Sequence, residues 1–178
     1  KKITQRDMEL LLTKTGTDMG NLRMEMEKLI SYTEGRDVVT AEDIEEICTT
    51  QTTNRIFDMV RAVTEKNQKR ALELYYDLLT LKEPPMRILF LLAKQYRQLL
   101  LAKQFAAAGL AQTEIASKLG VPGFVVRNIT TCARAYTISE LEQAVKDFVD
   151  AEESVKTGRL EDKLSVELLI IKYSSKVK

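Results

Sequence analysis

The stretch that most constrains this chain is residues 83–109, EPPMRILFLLAKQYRQLLLAKQFAAAG. Pro84 and Pro85 suit the first turn of a helix, where a missing N–H costs nothing, and Gly109 suits its end. No breaker lies between them, which predicts a rod of roughly 35 Å at 1.5 Å rise per residue. Ile88, Leu89, Leu92, Ala93, Tyr96, Leu99 and Leu100 then fill one broad face. Arg87, Lys94 and Gln98 mark the opposite side, but Phe90, Leu91, Leu101 and Phe105 fall close to that stripe. So much apolar intrusion predicts a central helix with cover from both sides, carrying too many charges to cross a membrane.

What packs around it is also helical, since strand signals are scarce and 3.6-residue periodicity recurs. Residues 4–15 predict a short helix with Met8, Leu11 and Leu12 inward, stopped by Gly16. Residues 18–34 follow, with Met19, Leu22, Met26, Leu29 and Ile30 on one side and Gly35 beyond the last turn. Thr40, with Glu42 and Asp43 behind it, opens a third helix carrying Ile44 and Ile47. The polar run 48–54, CTTQTTN, has little to bury and reads as a boundary.

Beyond it, helices are expected at 54–66 and 68–81, then the central rod, then 111–119 and 122–135 around Gly120. Ser139 and Glu142 read as a capping box for a helix running to Lys156. Leu141, Ala144, Val145, Phe148 and Val155 are its inward side; Glu140, Gln143, Lys146, Asp147 and Asp150 make an ordinary solvated face. A last helix spans about 161–175. The expected fold is all-α: a small three-helix domain, 1–50, followed by a larger helical bundle, 51–178.

Composition narrows function mainly by exclusion. The 27 basic and 26 acidic side chains leave a net charge of +1, which predicts no general pull towards nucleic acid or membrane. The chain has no histidine, so the commonest general base and metal ligand are gone. No GxxxxGK[ST] phosphate loop occurs. A catalytic acid pair needs one member with a raised pKa in a pocket, whereas Glu42, Asp43, Glu45 and Glu46, or Glu152 and Glu153, sit at helix starts or among exposed charges. Cys48 and Cys132 lack ligand spacing and read as small buried residues in a reducing compartment. No catalytic, metal or cofactor site is expected. No signal peptide or transmembrane run is read, and the start at Lys-Lys-Ile leads us to expect a piece of a longer protein.

One motif points to nucleic acid. Residues 113–127, TEIASKLGVPGFVVR, have the rhythm of a helix-turn-helix, with Ala116 at the tight contact and Gly120 in the turn. Arg127 and Asn128 are the candidate DNA-reading residues of a transcriptional regulator built on 111–135. The reading helix would begin Gly123, Phe124, Val125, Val126, however, which offers base edges little hydrogen bonding. Lys118, Arg127 and Arg134 are a thin supply for phosphates.

The runs TDMGNLRMEMEKLISYTEGRDVVTAEDIEEI, NRIFDMVRAV, KRALELYYDLL, EPPMRILFLLAKQYRQLLLAKQ, EIASKLG, the AR of ARAY and AEESVKTGRLEDKLSVELLI come in that order. As an ordered set they resemble the delta subunit of the bacterial DNA polymerase III clamp loader. The resemblance covers nearly the whole chain, though no single motif in it is decisive. It implies that 1–50 is the helical lid after an ATPase-like domain and 51–178 the collar that holds five subunits in a ring. The partners it implies are delta-prime and gamma/tau type subunits, with the sliding clamp gripped by a preceding domain absent here. DNA would be met within the complex, any polymerase activity would belong to the holoenzyme, and the implied location is cytoplasmic. Active loader subunits carry an arginine in a Gly-Asp-x-Arg-Arg context near the second lid helix. Here Thr17-Asp18-Met19-Gly20-Asn21 stands in its place and Arg23 lies off the pattern, so neither ATP binding nor hydrolysis is expected.

The final helix carries the candidate contact with other subunits. Leu164, Leu168 and Ile171 lie within about 40° of one line, while Val166, Leu169, Ile170 and Tyr173 gather on the far side. Ser165 and Lys172 on one flank, and Glu167 and Ser174 on the other, separate them. Either the second face is buried within the collar itself, or it meets a neighbouring subunit.

Overall fold

A computed structural model describes residues 1–16, 18–48 and 52–175, with the backbone alone for 52–54. The chain divides into two compact units, Lys1–Arg55 and Ile56–Lys178. Residues 49–51, the middle of the boundary read from sequence, lie outside the described residues. Ten helices form among the described residues, without a named strand.

The first unit holds α1 (Gln5–Thr15), α2 (Met19–Tyr32) and α3 (Ala41–Ile47). Each begins at a side-chain cap, where an oxygen takes up one of the free N–H groups of the first turn. Thr4 accepts from Asp7 N, Asp18 from Asn21 N, and Thr40 forms a reciprocal capping box with Asp43. A parallel bridge between Lys2 and Val38 ties the segment before α1 to the one before α3. Leu11, Leu29, Val39, Ile44 and Cys48 form the core.

The inward side of α2 differs from the sequence reading. Leu29 and Glu25 are buried, whereas Met19, Met26 and Ile30 are exposed. A core of this size needs few apolar contacts from the middle helix, and packing against α1 and α3 sets its rotation. The Glu25 carboxylate lies 2.7 Å from Lys28 Nζ, so the charge it takes inward is compensated.

The second unit begins within α4 (Thr52–Thr64) and continues through α5 (Gln68–Thr80), α6 (Pro85–Ala107), α7 (Gln112–Leu119), α8 (Gly123–Ala133), α9 (Ile138–Lys156) and α10 (Asp162–Ser174). The long rod α6 touches α7, α8, α9 and α10. Its buried line is Ile88, Leu89, Leu92, Tyr96, Leu99 and Ala102, with Gln95 among them. The Tyr96 ring sits at the centre of an aromatic cluster, 5.0 Å from Phe148, 5.5 Å from Tyr173 and 5.9 Å from Tyr136. Such tilted pairs add roughly 0.5–1.5 kcal/mol each beyond area burial. The Tyr96 and Tyr136 hydroxyls meet at 3.1 Å, which satisfies two polar groups inside the core.

Cover of α6 is one-sided, not two-sided. Phe90 is 64% exposed, and Arg87, Lys94 and Arg97 are exposed beside it. Leu91, Leu101 and Phe105 are only half-buried. The buried line of α6 is a single stripe, so its outer stripe stays open. Two details of α9 also differ from expectation. Its cap is Thr137, not Ser139: Thr137 N donates to Glu140 Oε2 at 2.6 Å and Glu140 N to Thr137 Oγ1 at 3.1 Å. Both pairs fit the S/T-x-x-E pattern, but the earlier start places Tyr136 and Leu141 at the two staple positions, and both are buried. Asp147, read as solvated, instead accepts bonds from α10.

Both cysteines are buried, Cys48 in the first unit and Cys132 in the second. Burial pushes the Cys48 thiol up to about 11, and burial also raises that of Cys132.

Candidate functional site

The final helix, α10, is fastened along one side and open along the other. Val166, Leu169, Ile170 and Tyr173 are buried, with Ser165 and Ser174. The two serines, expected on the polar flanks, are inside; Ser174 Oγ donates to Ile170 O at 2.7 Å, which lets it be buried at little cost. The opposite stripe holds Leu164, 42% exposed, and Leu168, 47% exposed, with Ile171 half-buried beside them. All three sequence candidates therefore share one outward face.

Polar anchors fix the rotation of this helix. Near its start, Tyr75 Oη donates to Lys163 O at 2.9 Å; near its end, Lys66 Nζ donates to Tyr173 O at 2.9 Å. Tyr76 Oη donates to Glu167 Oε1 at 2.8 Å. On the α9 side, the Asp147 carboxylate accepts from Tyr173 Oη, from Lys172 Nζ at 2.5 Å and from Gln143 Nε2 at 3.0 Å. Partial burial works against ionisation of Asp147, but the bonds from Lys172, Tyr173 and Gln143 outweigh it and hold the carboxyl below its usual range. Burial, reinforced by the bond to Asp147, pushes the Tyr173 hydroxyl well up. Periodicity within α9 carries no sign of this group, because its partners lie some twenty-five residues away.

The helix-turn-helix candidate is formed by α7 and α8. Gly120 closes α7 in the left-handed region, φ 65°, where a Cβ would be strained. Val126, Ile129, Cys132 and Ala133 bury α8 against the core, and α8 touches both α6 and α7. Arg127 and Asn128 are exposed on its outer side. Thr131 Oγ1 donates to Arg127 O at 2.8 Å, so that hydroxyl is spent on its own helix. In the stretch where the resemblance would place an arginine, Thr17 lies outside the described residues, Asp18 caps α2, and Arg23 pairs with Glu27 at 2.8 Å. Among the described residues no group of three or more acidic or cysteine side chains has metal-binding geometry, and no helix is long and apolar enough to cross a membrane.

Comparison with known proteins gives consistent matches. The family described as DNA polymerase III delta subunit, C-terminal domain, matches residues 53–173. DNA polymerase III subunit delta of Bacillus subtilis (strain 168) is 27% identical over 171 residues, which cover 96% of this chain and 49% of the relative. The "Probable DNA polymerase III subunit delta" of Aquifex aeolicus (strain VF5) is 24% identical over 115 residues, 64% of this chain and 33% of the relative. Among solved structures, the Bacillus subtilis DNA clamp loader delta protein (YqeN) superimposes with a TM-score of 0.87 at 26% identity. That match covers 99% of this chain and 52% of the other. The chain thus spans about half the length of the Bacillus subtilis relatives it matches almost end to end.

Proposed function

The chain belongs to the family of the DNA polymerase III delta subunit, C-terminal domain, and on that premise we propose that it is the ring-forming part of a clamp-loader delta subunit, contributing position and not chemistry. The observation that carries this reading is the fold match along nearly the whole chain to a clamp loader delta protein. In this reading the first unit, Lys1–Arg55, is the lid expected over 1–50, and the second, Ile56–Lys178, is the collar expected over 51–178. The partners are delta-prime and gamma/tau type subunits of a five-membered ring that loads the sliding clamp onto primed DNA. The clamp itself is gripped through a domain preceding the lid, and DNA is met inside the assembly. Polymerase activity belongs to the holoenzyme, and the chain itself takes no ATP.

Leu164, Leu168 and Ile171 form the subunit contact in this reading. Their support is geometric: they share the outer stripe of a helix whose other side is held by a core and by five hydrogen bonds to α5, α9 and Lys66. A fixed apolar strip loses little conformational freedom on docking, which favours affinity. Reconstitution with the partner subunits, followed by size-exclusion chromatography, tests the proposal; a chain that elutes alone with every partner combination refutes it. Duplex reading through Arg127 and Asn128 has weaker support, because α8 opens with Gly123 and Phe124 rather than with donors.

A further inference from the structure

The outer stripe of α6 combines cations with an open aromatic ring. Arg87, Phe90, Lys94 and Arg97 fall within about 80° of the helix circumference, along roughly 15 Å of its axis. All four are exposed. The helix contains no aspartate or glutamate from Pro85 to Ala107, whereas the chain's average frequency would place about three there. Arg87 lies 3.3 Å from Glu83. Among the described residues, Lys94 and Arg97 form no ion pair.

An exposed phenyl ring alone is ordinary. A ring standing beside two cations without an acid partner, Lys94 and Arg97, on a helix without acids is a different surface. Cations repel one another, and unpaired they attract a polyanion; the ring supplies a flat π-face about one helical turn from Lys94. We infer that this stripe binds single-stranded nucleic acid, with a base stacked on Phe90 and neighbouring phosphates on Lys94 and Arg97. Stacking on an aromatic platform with a cationic track for the backbone is how sequence-tolerant single-strand binders work. A duplex fits less well, because its base faces are already stacked and only its phosphates are within reach. An acidic peptide would answer the cations but leave the ring without a partner. A net charge near zero permits such a site, because at physiological salt the field of a local cluster extends only about 8 Å. The inference goes beyond the ring-subunit reading and does not depend on it.

The test is fluorescence anisotropy of a labelled twelve-nucleotide oligo-dT strand with the 178-residue chain, at 20 mM salt and rising. Saturable binding is expected, weaker for a duplex of the same length and weaker for an abasic strand. Phe90→Ala should lower affinity about tenfold with an unchanged melting temperature, the ring being exposed. Lys94→Gln and Arg97→Gln should each flatten the slope of log K against log salt by about 0.7. Absence of saturable binding at 20 mM salt overturns the inference, as does equal affinity for the oligo-dT and abasic strands. If Phe90→Ala leaves oligonucleotide binding intact but breaks assembly with partner subunits, the face is a protein contact and the inference is wrong. Assembly of the unsubstituted chain, measured in parallel, judges the ring reading separately.

Discussion

Introducing a carboxylate at two adjacent positions of α10 separates its two faces. Leu169 is 7% exposed and lies in the main core; Leu168 is 47% exposed on the outer stripe. Replacing Leu169 by glutamate loses about 2 kcal/mol of apolar transfer free energy. It also places an acid within an apolar cluster. The ionic part of that cost has a ceiling, because the group can take up a proton instead of staying charged. From an unperturbed pKa near 4.3, protonation at pH 7 costs about 4 kcal/mol. Leu169→Glu should therefore destabilise the second unit by about 4–6 kcal/mol, a fall in melting temperature on the order of 15 °C or more.

The pH dependence is a second signature. An acid whose folded pKa is raised binds more protons in the folded state, so the deficit of Leu169→Glu should shrink as pH falls from 7 towards 4. The slope is about 1.4 kcal/mol per pH unit. Leu168→Glu should stay within about 0.5 kcal/mol of the unsubstituted chain and yet abolish assembly with partner subunits. Thermal unfolding at pH 7 and pH 5, with size-exclusion chromatography of the reconstituted mixture, measures both. Equal destabilisation by the two substitutions would refute the two-faced reading of α10. Normal assembly of the Leu168→Glu chain would refute the contact assignment.

Addition of ATP and magnesium should not raise the melting temperature; a saturating rise of several degrees at micromolar nucleotide would reveal a site that the sequence gives no means of building. Duplex DNA should bind weakly, without sequence preference, and fade as salt approaches physiological levels; loss of a site-selective complex in Arg127→Ala or Asn128→Ala would restore the helix-turn-helix reading. Asp147→Asn should destabilise the chain at neutral pH and much less in acid. The folded carboxyl lies below its usual range, so its stabilisation is complete above the unfolded pKa near 3.9 and lost as pH falls through the lower folded value. Equal destabilisation by Asp147→Asn at pH 7 and at pH 2 would contradict that sign.

Element order and the dominant core were legible because α6, α9 and α10 repeat apolar residues at helical spacing over many turns. Breakers and caps fixed most ends, as at Pro85, Gly16 and Thr40. The misses share a cause: partner helices decide which face is inside. The sequence of α2 suggests Met19, Met26 and Ile30, but the fold buries Glu25, whose charge Lys28 balances from one turn away. Asp147 looks solvated along α9 until Lys172 and Tyr173 arrive from α10. The choice between Thr137 and Ser139 as cap rests on where Tyr136 can be buried, which no local pattern states. The outward placement of Leu164 and Leu168 was readable because the two apolar stripes of α10 are separable on a helical wheel, whereas the open stripe of α6 was masked by Leu91, Leu101 and Phe105 beside it.

The two buried thiols give the chain a pair of internal clocks. A thiol sealed from solvent, with its ionisation pushed upward, does not react with a thiolate-seeking reagent until the structure around it opens. Each unit holds one of the chain's two cysteines. The modification rate of Cys48 therefore times opening of the first unit, and that of Cys132 times opening of the second. Two rates that converge as denaturant is added would mark unfolding as one cooperative body; two that stay apart would mark separate openings, with no substitution needed to see them.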